Sequence, residues 1–304
     1  MYYLGIKTFI VAISGIIFLN SCNNNSDNKK KDEVQADVTG KTATGSFDLT
    51  KPIAKWVLPD ELLEVSGIVK LDSNKMLAIE DLHAKLYVLT LDNGKAVIAD
   101  TISFHKTAKE KFDIEDLALV GDTAYALWSH GDIFKIKDWK KTRQVSEIKT
   151  GLDKKNNTEG LAYDPVTGNL LIACKDESGE GDEKKSTRSV FEYDLRSNSL
   201  KQAPFLLIEK KELDKISGDK VKFYPSAIAV HPVTHDIYVL SSKDTKCIAQ
   251  FSHDGKLIAF DYLDKDILLQ PEGLCFDATG NLYISTEGKN GASPYIYEFG
   301  VKGK

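Results

Sequence analysis

The chain lacks the residues and spacings that mark several common functional classes. It has four cysteines and no CxxC pair, which removes the zinc-ribbon and thioredoxin-like spacings. It has no GxSxG elbow, no HExxH helix and no Walker loop, so the usual serine-hydrolase, zincin and P-loop signatures are absent. Arginine is confined to Arg143, Arg188 and Arg196. Net charge is only −5 over 304 residues, with both signs interspersed, which gives no electrostatic reason to expect nucleic acid as a partner. Helical periodicity is almost missing. Met occurs twice, against 13 Phe and 12 Tyr, a composition suited to β structure.

One long apolar run is present, at the N-terminus. Lys7 precedes the stretch from Thr8 to Leu19, which is shorter than a comfortable membrane span. The run closes on Leu19-Asn20-Ser21-Cys22, which resembles a bacterial lipobox. Residues 1–21 therefore read as a lipoprotein signal peptide, with Cys22 as the lipidation site. Residues 22–46 are polar, include Lys29-Lys30-Lys31, and read as a disordered tether. The expected location is the bacterial cell envelope, with the membrane as a partner through the lipid. Cys174, Cys247 and Cys275 each lie in apolar, strand-like contexts and read as small buried hydrophobes.

Residues 47–304 carry an internal repeat. Five segments align: "EVSGIVKL" (64–71), "DIEDLALV" (113–120), "NTEGLAYD" (157–164), "YPSAIAVH" (224–231) and "QPEGLCFD" (270–277). The aligned polar positions are Ser66, Glu115, Glu159, Ser226 and Glu272, spaced by 49, 44, 67 and 46 residues. Propeller blades repeat at about 40–50 residues. The long interval contains two polar insertions, "KDESGEGDEKKSTR" and "KKELDKISGDK". After each motif come a turn, a second strand, a hairpin signal such as Asp92-Asn93-Gly94, and further alternating strands. The expected fold is all-β: a five-bladed β-propeller of four-stranded antiparallel blades, forming one monomeric domain. The fifth repeat ends after its third strand. The orphan segment "IAKWVLP" (53–59) is expected to supply the missing outer strand and close the ring.

Propeller topology sends the start of each first strand and the end of each second strand to one rim of the central channel. Glu115, Glu159 and Glu272 should meet there. Ser66, Ser226, Glu80, Asp81, His130, Glu177 and Glu287 are the other channel-face candidates. Crowded carboxylates are relieved by protons, by hydrogen bonds or by a cation, and this all-oxygen set suits Ca²⁺ better than Zn²⁺. An alternative is that each Glu satisfies the backbone of the neighbouring blade and binds nothing. The "HPVTHD" segment, with Pro232 between His231 and His235, reads as a strand-connecting turn.

The phrases "EVSGI", "DIEDLAL", "NTEGLAYDP", "PSAIAVHP" and "QPEGLCFDATGNLYISTEG" resemble the SdiA-regulated domain family of bacterial envelope propellers over residues 53–300. The resemblance implies a five-bladed propeller with bound calcium and brings no established reaction. On this chain the matching acids are Glu115, Glu159 and Glu272. Ser66 and Ser226 replace the acid twice, which excludes a symmetric five-carboxylate site. Two functions compete: a binding module for an unknown small molecule or protein, and a calcium-dependent hydrolase of phytase or lactonase type. Lys175, Lys243 and Lys289 follow second strands and could hold phosphate in the hydrolase, but the scarcity of Arg favours the binding module.

Overall fold

The computed structural model describes residues 46–105, 112–176, 186–289 and 291–302. Cys22, the signal peptide, the tether up to residue 45 and Glu177 lie outside them. Strand β1 is Ala54–Val57. Four successive strands then form a meander: β2 (Val65–Lys70), β3 (Lys75–Glu80), β4 (Lys85–Asp92) and β5 (Lys95–Ser103). The β4–β5 turn is a tight hairpin with Asp92 opposite Lys95. Asn93 and Gly94 both take positive φ, 44° and 77°, as a type I′ turn requires.

The pattern repeats. A second meander holds β6 (Ile114–Val120), β7 (Thr123–Trp128), β8 (Ile133–Lys137) and β9 (Gln144–Ile148). The third holds β10 (Thr158–Asp164), β11 (Asn169–Cys174), β12 (Thr187–Asp194) and the short outer pieces β13 (Ser199–Leu200) and β14 (Leu206–Glu209). The fourth holds β15 (Pro225–Val230), β16 (Ile237–Ser241), β17 (Cys247–Phe251) and β18 (Leu257–Tyr262). The last holds β19 (Pro271–Phe276), β20 (Leu282–Thr286) and β21 (Tyr295–Phe299). Its outer edge is covered by β1, antiparallel to β21 from Ala54 opposite Glu298 to Val57 opposite Tyr295. A single parallel pairing, Val57 with Lys95, also ties β1 to β5, so two meanders merge into one eight-stranded sheet. The N-terminal segment thus seals an edge that would otherwise expose unpaired backbone.

The repeated phrases form the inner strands. β2 lies against β6, β6 against β10, β10 against β15, β15 against β19, and β19 against β2. This cyclic contact gives a nearly closed all-β ring. Side chains of neighbouring meanders fill the wedges between them. Leu77, Ile79, Phe104, Phe112, Leu117, Ala126, Phe134 and Trp139 form one such wedge. Phe47 and Leu49 pack into the wedge under β19–β21, with Tyr238, Leu282 and Phe299. Each fully buried Leu, Ile or Phe is worth about 1.5–3 kcal/mol, so the wedges hold the ring together.

One feature departs from the sequence reading. The insertion "KKELDKISGDK" contains a helix, α1 (Lys210–Ser217), which buries Leu213 and ends on Gly218 with φ 77°. Eight residues are too few to show a helical period in the sequence. The three described cysteines are all free and buried, as small hydrophobes should be. No helix among the described residues is long and apolar enough to cross a membrane.

Candidate functional site

Each inner strand carries a register shift at the same repeat position. The ladder skips at Ser66 in β2, Glu115 in β6, Glu159 in β10 and Ser226 in β15. In β19 it skips across Glu272 and Gly273. A β-bulge frees one residue from the ladder and re-aims its side chain. The recurring acid or serine is therefore the bulged residue of every repeat. The small residue after it lets neighbouring inner strands approach. A Cβ on Gly67 would lie 2.5 Å from Asp116 Oδ1, and one on Gly160 only 3.0 Å from the backbone nitrogen of Ile228.

The bulges bring Ser66, Glu115, Glu159 and Glu272 to one cavity of 310 Å³. Asp81, Asp113, Asn157, Lys175, Gln270 and Glu287 complete its wall. Six carboxylates thus face one ammonium. Lys175 Nζ donates to Glu159 Oε1 at 2.9 Å. Ser242 donates to Glu272 Oε2 at 3.3 Å, and Gln270 donates its amide to Glu287. Asn157 reaches outward to Asp176 at 2.9 Å.

The electrostatics record an excess of negative charge. Burial pushes Glu272 up to about 8, helped by Glu287 and Glu159. Burial and the nearby Glu64 push Glu287 up to about 7. Asp81 rises to about 7 through burial and the charges of Glu64 and Glu80. Glu115 and Glu159 are both raised by burial. The Glu159 charge adds to the rise of Glu115, whereas Lys175 opposes that of Glu159. For Lys175, burial works against the charge, but Glu159, Glu272 and Glu115 hold the ammonium protonated above its ordinary range. Ser66 Oγ and Asp81 Oδ1, both on the cavity wall, are buried without a hydrogen-bond partner. Orphaned oxygens on an acidic wall are what a bound cation or an ordered water would satisfy. Among the described residues, no group of three or more His, Cys, Asp or Glu is arranged to hold one ion, and the Lys175 ammonium takes that role beside Glu159.

Several expected members sit elsewhere. Glu80 is buried outside this cavity, where it accepts from the Leu82 backbone at 2.9 Å and meets His83 Nδ1 at 2.8 Å. Its neighbour Asp81 faces the cavity instead. His130 rests on Trp128, ring centroids 4.1 Å apart, and against Asp132 at 3.4 Å. Ser226 is bulged like the others, but its buried Oγ has no hydrogen-bond partner and it does not line the cavity. His231 caps its own turn, accepting from the backbone of Val233 and Thr234.

The backbone-satisfying acid is not a bulged Glu but the next residue, Asp116. It is 1% exposed and accepts from Leu117 N and from Leu161 N, both at 2.8 Å. Leu161 lies on the following inner strand, so this carboxylate staples β6 to β10. The only sequence signal was an Asp where the other repeats have Gly or Ala.

The family model for SdiA-regulated proteins matches residues 60–290. The chain belongs to the SdiA-regulated family. No curated protein matches it. Among solved structures it is similar to the glutaminyl cyclase of Myxococcus xanthus, with a TM-score of 0.55 and 13% identity, covering 83% of this chain and 95% of that one. It is also similar to the PQQ-bound aldose sugar dehydrogenase of Streptomyces coelicolor, TM-score 0.51, 12% identity, 86% and 99% covered. A third is a protein of unknown function from Bacteroides thetaiotaomicron, TM-score 0.50, 10% identity, 85% and 75% covered. At these identities the likeness is one of propeller-like fold.

Proposed function

We propose that this SdiA-regulated protein is a five-bladed propeller, lipid-anchored at Cys22 in the bacterial envelope, that works as a binding module with a cation site at the channel rim. One observation carries the reading. Six carboxylates and one lysine converge on a single cavity, with two orphaned oxygens in its wall. That wall needs more positive charge than Lys175 supplies. Ca²⁺ suits the chemistry of this all-oxygen donor set, and once Lys175 leaves Glu159 and the side chains close in, Glu115, Glu159 and Glu272 would be its carboxylate ligands, with Ser66 and Asp81 as further oxygens. An ion there would compete with Lys175 for Glu159. It would link strands β6, β10 and β19, stiffening the face presented to a ligand.

Calcium titration of the purified protein, followed by melting with and without EDTA, tests this. The melting temperature should rise with Ca²⁺, and Glu159→Gln should remove most of the rise. An unmoved melting temperature together with wild-type behaviour of Glu159→Gln would sink the reading. The hydrolase alternative draws on a different observation, the buried carboxyls of Glu272 and Glu287 with pKa values near neutrality. A screen of phosphate esters and lactones decides it. Turnover that Glu272→Gln abolishes would favour the enzyme.

A further inference from the structure

The inner strands carry a second cavity of opposite chemistry. The bulged acids stand at the strand starts. Near the strand ends, a cavity of 340 Å³ is lined by all five inner strands. Val69, Leu119, Tyr163, Val230 and Phe276 supply one half-buried apolar side chain from each. Between the two cavities lies the level of the small residues, where a Cβ on Gly273 would lie 3.2 Å from the backbone nitrogen of Ile68. Among the described residues lining the apolar cavity, Asp277 alone is charged, and its own turn satisfies it. It accepts from the backbone and the hydroxyl of Thr279, both at 2.8 Å, and from the Asn281 backbone at 2.9 Å. Lys70, next to Val69, commits its ammonium to the carbonyls of Asp72 and Ser73 at 2.6 and 2.9 Å. Each inner strand is the last of its sheet, so one edge lacks a strand partner and turns N–H and C=O groups to the channel. Pro165, Pro232 and Ala278 line the cavity and are exposed, which puts them at its mouth. Beside the two prolines, Val166 is 52% and Val233 66% exposed, so the rim is apolar too.

We propose that this cavity binds a small uncharged molecule with an apolar body and a carbonyl or hydroxyl group. Apolar walls with a few polar groups, enclosing about 300–1,000 Å³, are the usual make-up of a small-molecule site. An apolar cavity of about 150 Å³ takes one benzene ring, so one of 340 Å³ has room for a body of about two rings. The charge balance selects the ligand further. With no cation in the wall, a carboxylate or phosphate would be buried without a partner. Asp277 already accepts three hydrogen bonds, so it calls for no cation from the ligand. The unpaired strand edges supply the remaining polar contacts, to neutral donors and acceptors alone. Tyr163 and Phe276 give the rings aromatic faces to pack on. The site stands apart from the acidic cavity and needs no ion there.

The test is fluorescence titration of the full chain with prodan, an uncharged naphthalene ketone whose emission moves to the blue in apolar surroundings. The buffer contains EDTA, so that failure of the calcium reading leaves the result standing. One saturable site with a blue shift is expected. Ala278→Trp fills the exposed mouth and should weaken binding at least tenfold while melting like the wild type. Should that variant fail to fold, Pro165→Trp, on another loop of the mouth, should do the same. Absence of saturable binding by the wild type, or undiminished affinity in the folded mouth variants, overturns the proposal. So does equally tight binding of anilinonaphthalene sulfonate, an anion of similar size, since the wall has no partner for its charge. A dimer in sedimentation that Val233→Glu returns to one chain would show that a second copy covers the mouth, and would overturn it as well.

Discussion

The acidic cavity makes a quantitative demand on stability as a function of pH. In the folded protein Glu272 is raised to about 8, and Asp81 and Glu287 to about 7, all three chiefly by burial. In the unfolded chain they return to the ordinary carboxylate range near 4. Between these limits the folded state keeps protons that the unfolded state has released. Stability therefore falls as pH rises from about 4.5 through 7–8. Glu272 alone costs about 1.4 kcal/mol per pH unit, or about 2.7 kcal/mol between pH 5 and pH 7. Asp81 and Glu287 are more open to water, and screening discounts them to about as much again between them. The total of about 5 kcal/mol is comparable to the whole stability of many domains, about 5–15 kcal/mol. A bound cation would keep the carboxylates ionised in the folded state and remove the slope. Urea unfolding at pH 5, 6 and 7 measures it. Chelator-treated protein should lose at least about 3 kcal/mol across that range, and protein with excess Ca²⁺ should lose little. If chelated protein is equally or more stable at pH 7, the carboxylates are not crowded as described and the reasoning fails.

Two further outcomes follow from named contacts. Lys175→Met removes the ammonium that pairs with Glu159 and leaves a carboxylate uncompensated, which costs about 3 kcal/mol at neutral pH in chelator. The same change removes a competitor, so Ca²⁺ should bind at least tenfold more tightly in a fluorescence or calorimetric titration; unchanged affinity would show that Lys175 does not occupy the ion's place. Asp116→Ala strips two buried N–H groups, on Leu117 and Leu161, of their acceptor at about 1–3 kcal/mol each, and urea unfolding should show a loss of about 2–5 kcal/mol. An Asp116→Ala midpoint equal to wild type would mean that water replaces the staple.

Much of the architecture was legible because the inner strands repeat. The phrases around Ser66, Glu115, Glu159, Ser226 and Glu272 mark the five strands in cyclic contact, and the orphan segment 53–59 does pair with β21. What stayed hidden depended on register. Strand side chains alternate, so an error of one residue exchanges faces. That is why, of the two adjacent acids expected at this face, Asp81 lines the cavity and Glu80 does not. Lys175 read as a phosphate ligand because sequence spacing shows that it follows β11 but not that it turns toward Glu159. Asp116 looked like one more acid beside Glu115, since nothing in sequence distinguishes a carboxylate aimed at the backbone from one aimed at a cavity.

The bulges separate scaffold from chemistry. All five inner strands break register at the same position, yet only three place an acid there. The bulge therefore cannot exist to serve a carboxylate; it is a property of the repeat backbone, which needs a small residue next to it for the inner strands to approach. Gly67, Gly160 and Gly273 meet that need directly, and Asp116 meets it differently, by bonding across to the next strand. Once the backbone offers five aimed positions, the side chain at each is free to vary. Ser66 and Ser226, bulged but uncharged, set the acidic wall off-centre and place its charge on β6, β10 and β19. The bulged acids thus form a directional array rather than a symmetric ring, and its direction is set by which bulges carry glutamate.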